Sequence, residues 1–165
     1  MLGRLFEASL NVLIVRRLRP VAHGLFSRGA AELAEYWMKV GNDNLEDFLE
    51  KDTLKGEELV SAAIFVRLQH NIPHLRSWPQ AMAYGLLPDN VSNTLQKLHE
   101  LVDLICTKAD KSEESTHWAE RHTLVGTIYA ASELYMLTDY SEGYIDTKNF
   151  IDSRLKGKSS ICCHT

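Results

Sequence analysis

The chain has 165 residues, 45% of them hydrophobic and 24% charged, with a net charge of −4. That balance suits a globular domain and gives no global field for non-specific nucleic-acid binding. No apolar run reaches the roughly 18 residues of a membrane-spanning helix. The cysteines Cys106, Cys162 and Cys163 build neither a disulfide framework nor a CxxC zinc site.

Charge is unevenly placed. Five arginines against Glu7 give residues 1–30 a charge of +4, which leaves −8 for the remainder. Residues 1–22 form a basic segment in which Leu2, Leu5, Phe6, Leu10 and Leu13 can share one side of a helix. An amphipathic, arginine-rich, acid-poor start fits a mitochondrial transit peptide. It also fits an ordinary first helix with a basic outer face. A secretory signal fits worse, because the arginines follow the short apolar stretch Leu10–Val15. Pro20 and Gly24 close the segment.

From Ala30 to about Asp52 the spacing of Leu33, Trp37, Val40, Leu45, Phe48 and Leu49 predicts a helix, and Gly56 breaks it. A second helix starts near Glu57, runs through Leu68, and must kink or end at Pro73. Pro79, at a tolerated first-turn position, restarts a short helix over about 80–86, before Pro88. Asn90 or Ser92 then caps a helix to Thr107, with Val91, Leu95, Leu98, Val102 and Ile105 expected inward. Residues 109–116 read as a charged, polar loop. Trp118 to about Leu137 is the most apolar helix, apolar on most of its circumference, so it is core or the wall of an internal cavity. Asp139–Gly143 is a turn, and Asp146–Leu155 a last helix. Residues 157–165 read as an unstructured tail. No segment alternates with period two, so the fold class is all-α, a bundle of about six helices.

Catalytic signals are missing. His70 and His74 have the i, i+4 spacing of two metal ligands, yet Pro73 lies between them and no acid completes the set. His117 and His122 flank Trp118 and Arg121 as a polar patch. The acid pairs Glu100 with Asp103 and Glu113 with Glu114 read as solvated faces. No phosphate loop, dinucleotide fingerprint or nucleophile elbow occurs. The ending Cys162-Cys163-His164-Thr165 lacks the aliphatic positions of a prenylation box. The reading is therefore a protein that is not an enzyme and carries no metal or cofactor.

One set of ordered blocks is specific. Trp78-Pro79-Gln80-Ala81, Leu87-Pro88-Asp89-Asn90, Leu101-Val102-Asp103, Trp118, Arg121, Ile128-Tyr129, Ser132 through Asp139, Asp146-Thr147, Phe150 and Arg154 resemble the lipid-binding accessory proteins of ubiquinone biosynthesis in mitochondria and alphaproteobacteria. Gly24-Leu25-Phe26 with Glu32-Leu33 is similar to the junction at which a TetR-type helix-turn-helix enters its ligand-binding bundle. The resemblance covers residues 23–156, most specifically 78–155. It implies a TetR-like helical lipid-binding domain over 23–156, with the helix-turn-helix region largely missing. It also implies an end without the family's amphipathic membrane helix, so a core shortened on both sides is expected.

By the same resemblance the bundle holds a lipid or isoprenoid quinone. It presents that ligand to the demethoxyubiquinone hydroxylase at the matrix face of the mitochondrial inner membrane, with peripheral membrane association. A TetR-like bundle also dimerises through two helices. The physical need is plain, since each buried CH₂ is worth about 0.8 kcal/mol and a polyprenyl tail leaves the bilayer only for a substitute pocket. The expected pocket wall is Trp78, Leu87, Leu95, Leu98, Val102, Leu124, Ile128, Tyr129, Leu134 and Tyr135. The hydroxylase-binding positions are Asp103, Trp118, Arg121 and His122. Ala119 replaces the family's aromatic and His122 an arginine, so a weakened contact is expected. Two alternatives remain: a remnant of a TetR-like transcriptional regulator, and a helical protein-interaction module without lipid function. The −8 body speaks against nucleic acid as a partner.

Overall fold

A computed structural model describes residue 28, residues 30–109 and residues 118–162. The basic segment 1–22, His117 and Cys163 onward lie outside the described residues. Six α-helices are present: α1 (Ala30–Lys51), α2 (Gly56–Gln69), α3 (Trp78–Gly85), α4 (Val91–Ala109), α5 (Trp118–Met136) and α6 (Ile145–Cys162). Short 3₁₀ turns, Ile72–His74 and Glu142–Tyr144, precede α3 and α6. No strand occurs among the described residues, and the chain is an all-α bundle. None of its described helices is long and apolar enough to cross a membrane.

Residues read from the sequence as one bundle fall into two compact units. Among the described residues, the first holds those up to Gly41 and Asn71–Lys97, and the second holds Asn42–His70 and those from Leu98 onward.

In the first unit, Leu33 and Trp37 of α1 and Trp78 and Ala81 of α3 are buried. The His74 ring stands edge-on to Trp37 with centroids 4.6 Å apart. Gly85 permits a close approach, since a Cβ there would meet Thr94 Oγ1 at 2.9 Å. Arg28 forks onto Glu35 with two bonds of 2.6 Å.

The second unit has the larger core. Leu45 and Leu49 of α1, Ile64 and Leu68 of α2, Leu101 and Ile105 of α4, Met136 of α5 and Ile151 of α6 are almost fully buried. Helix α6 packs on both α2 and α5, and α2 packs on α5. Polar groups bind these helices together at three places. Buried Arg67 donates from Nε to Asn42 Oδ1 at 3.0 Å, with its guanidinium carbon 6.0 Å from the Tyr129 ring centre. Lys148 Nζ donates to Ser61 Oγ at 2.8 Å and to Asp152 at 2.7 Å, and the Ser61 hydroxyl donates to the same carboxylate.

The third place is the turn before α6. Asp139 Oδ1 accepts from the Ser141 N–H and hydroxyl, and Oδ2 from the Thr147 N–H and hydroxyl, at 2.5–2.8 Å. A carboxylate there also faces the positive end of α6. Burial pushes the Asp139 carboxyl up, but these four donors outweigh it and hold it at about 2. The clasp secures a turn that needs securing: Gly143 and Tyr144 both have positive φ, 65° and 58°. For tyrosine that region is strained.

Three expectations change. α6 continues to Cys162 instead of ending near Leu155, because an established helix propagates without an apolar face of its own, and Gly157 costs only about 1 kcal/mol against alanine. In α4, Leu101 and Cys106 join Val102 and Ile105 inside, while Leu95 is 57% exposed. α5 is not buried all round, since Leu134 and Tyr135 are exposed.

The Asp139 clasp has a defined pH signature. A carboxyl held at about 2 against an ordinary 3.8 stabilises the fold fully above the higher value. That contribution fades as pH falls through the lower one. Asp139→Asn should lower stability at neutral pH by about 1–2 kcal/mol. In urea titrations its deficit against the parent should shrink as the pH drops from 3.8 toward 2.

Candidate functional site

The second unit carries one clustered polar-aromatic surface, built from α4 and α5. Positions i, i+4 and i+7 put His99, Asp103 and Cys106 along one stripe of α4. Trp118, Arg121 and His122 occupy the first turn of α5 on the same logic. The helices meet at Gly126, where a Cβ would sit in ordinary van der Waals contact with Val102, 3.5 Å away.

His122 is the joint of the cluster. Its Nδ1 lies 3.0 Å from the Trp118 carbonyl oxygen and its Nε2 lies 3.3 Å from Asp103 Oδ1. Both neighbours are acceptors, so a neutral ring donates to one of them and a protonated ring to both. The Trp118 ring lies 4.0 Å from the imidazole, centre to centre, at 35°, and the His99 ring centre is 6.3 Å away. Trp118 nevertheless remains 55% exposed. A large aromatic held in place by its neighbours yet open to solvent is the composition of an interface anchor.

Cys106 lies beneath, 4% exposed. Burial pushes its thiol up to about 11, although Arg121 pulls the other way and Asp103 adds to the rise. A thiol in that state is neither a nucleophile nor a metal ligand at neutral pH.

Of the four residues expected from the sequence to bind a partner, Asp103 and Trp118 each contact His122, and the Arg121 charge acts on Cys106. Sequence reasoning missed His99 and Cys106, although the i, i+4 relation of His99 to Asp103 was a usable signal. The residues expected along a pocket wall differ in burial. Val102, Ile128 and Tyr129 are buried in the second unit and Trp78 in the first. Leu98 and Leu124 are half-buried. Leu87, Leu95, Leu134 and Tyr135 lie on the surface. Their apolar character alone did not distinguish inner from outer faces.

The histidine pair is also separated. α2 ends at Gln69, so His70 follows the helix and His74 belongs to the 3₁₀ turn. Among the described residues no group of three His, Cys, Asp or Glu side chains could hold a metal ion.

Comparison with known proteins bears on this same region. Residues 91–161 match the COQ9 family. The match begins with α4 and runs through α5 into α6, so it contains every residue of the Trp118 cluster. The chain is similar to the mitochondrial ubiquinone biosynthesis protein COQ9 of Xenopus tropicalis, 30% identical over 144 residues, and to COQ9-A of Xenopus laevis, 31% identical over 144 residues. Each alignment covers 81% of this chain and 45% of the relative. The probable mitochondrial COQ9 of Dictyostelium discoideum is 31% identical over 160 residues, covering 90% of this chain and 52% of the relative. The chain thus spans about half the length of these COQ9 proteins.

Two measurements check the geometry. Trp118→Ala should change folding stability by no more than about 0.5 kcal/mol, because the ring is largely in water. Cys106 in the native protein should react with iodoacetamide at pH 8 far more slowly than after denaturation, as roughly one thiol in a thousand is ionised there when its pKa is about 11.

Proposed function

We propose that this chain serves ubiquinone biosynthesis in the mitochondrion as a non-catalytic accessory protein. In this reading it carries a lipid or isoprenoid quinone and presents it to the demethoxyubiquinone hydroxylase at the matrix face of the inner membrane. The observation that carries the reading is a coincidence of place. The segment that matches the COQ9 family, residues 91–161, is the one that assembles Trp118, His122 and Asp103 into an exposed anchor.

The division of labour follows from the chemistry. Among the described residues no group of three His, Cys, Asp or Glu side chains could hold a metal ion. The work left to the chain is recognition, with Trp118 supplying area and Asp103 and Arg121 supplying charge for orientation. Ala119 offers little contact surface beside Trp118, so the affinity for the hydroxylase is modest.

A second reading, a helical interaction module without lipid, is favoured by one observation. Four of the ten residues expected along a pocket face solvent.

The two readings separate in one preparation. Organic extraction of the purified chain followed by mass spectrometry should yield a stoichiometric lipid or quinone, and its absence would leave the interaction module. Co-precipitation with the hydroxylase should fall about tenfold or more for Trp118→Ala. Unchanged binding in that variant would remove the anchor from the argument.

A further inference from the structure

His122 sits between two oxygens and is largely closed off from water. Its side chain is only 10% exposed. Nδ1 faces the Trp118 carbonyl oxygen at 3.0 Å, and Nε2 faces Asp103 Oδ1 at 3.3 Å. A neutral imidazole has one N–H for these two acceptors. Whichever tautomer forms, a nitrogen lone pair is turned toward the other oxygen, and little water reaches the ring to relieve the mismatch. The imidazolium has two N–H groups and satisfies both oxygens. Its charge also lies within the reach of a cation–π attraction, since the Trp118 ring centre is 4.0 Å away.

The charges around the ring are divided. On α4, Asp103 favours the cation, although at 52% exposure water weakens its pull. His99, whose ring centre is 6.3 Å away, opposes it when charged itself. Cys106, its thiol pushed up to about 11 by burial, is uncharged. On α5, the neighbouring Arg121 opposes the cation and exposed Glu120 favours it. α2 places Arg67 against Tyr129, about two turns from His122, and exposes Glu57 and Glu58 in its first turn. α6 commits Lys148 and Asp152 to Ser61, sets Lys156 to act on Asp152, and holds Arg154 over Phe150. The two close oxygens and the indole, more than the net charge nearby, therefore distinguish the two forms of the ring.

We propose that His122 is a proton-operated latch on Trp118: the imidazolium holds the indole as a fixed anchor, and the neutral ring releases it. The sign follows directly. The anchor is held when histidine carries its second proton and is freed as pH rises through the range in which that proton leaves. The latch is a property of the chain alone. Its effect on partner binding rests on the reading of Trp118 as the anchor for the hydroxylase.

Fluorine NMR of the full chain labelled with 5-fluorotryptophan tests the latch, with the Trp118 signal assigned by Trp118→Phe. From about pH 8 to about pH 5.5 the transverse relaxation rate of Trp118 should rise toward that of buried Trp78. The rise should vanish in His122→Gln and survive in His99→Gln. His122→Arg, a permanent cation, should keep the rate high at both pH values, which keeps the test decisive should His122→Gln fold poorly. A parent rate indifferent to pH, a response that persists in His122→Gln or is lost in His99→Gln, or a low rate in His122→Arg would each overturn the proposal. Co-precipitation with the hydroxylase, taken relative to His122→Arg at each pH, should be about threefold or more stronger for the parent at the acid end. Equal relative binding at both ends would overturn the latch as a control on binding. If the relaxation response is present and the hydroxylase binds at neither pH, the latch stands and the partner reading falls.

Discussion

Helix α6 lies across both α2 and α5, and this packing organises the second unit. Its inner face is formed by Ile151 and Leu155, and its starting point is fixed by Asp139, which ties the end of α5 to the first turn of α6 through four donors. Apolar burial supplies most of the driving force but has no direction. The Asp139 clasp and the Ser61–Lys148–Asp152 bonds supply direction, because they form in one register only.

The Trp118 cluster is organised the same way. α5 meets Val102 of α4 at Gly126, and Asp103 of α4 lies 3.3 Å from His122 of α5. The anchor is thus a product of two helices packed side by side. Arg67 is a further polar group committed to this core, buried beside Asn42 and Tyr129. Removing either neighbour would leave part of a buried cation unsatisfied, which is costlier than losing the bond itself.

Much of the fold was legible in the residue pattern. Period-3.6 spacing located every helix, and Gly56, Pro73, Pro79 and Pro88 located the breaks, because these residues act on the backbone wherever they occur. The stop of α6 was not legible, since continuation of a helix depends on little more than the absence of a breaker. Resemblance singled out four residues for a partner surface, and the structure joins three of them by contact. Which apolar residues are buried was the least legible part. Leucine at 87, 95 and 134 has the same chemistry as leucine at 98 and 124, and only packing decides which face of a helix meets another.

By itself, then, the sequence determined an all-α chain, the breaks between its helices, and its similarity to COQ9 proteins of ubiquinone biosynthesis. Those properties are local or compositional and hold whatever the helices do next. The tertiary structure alone decided that Leu86, Leu87 and Leu95 face outward and that His99 and Cys106 join the Trp118 cluster. It also decided that Asp139 holds the start of α6. Each depends on which helix faces meet, and many sequences with the same periodicity would satisfy the pattern with different faces inside.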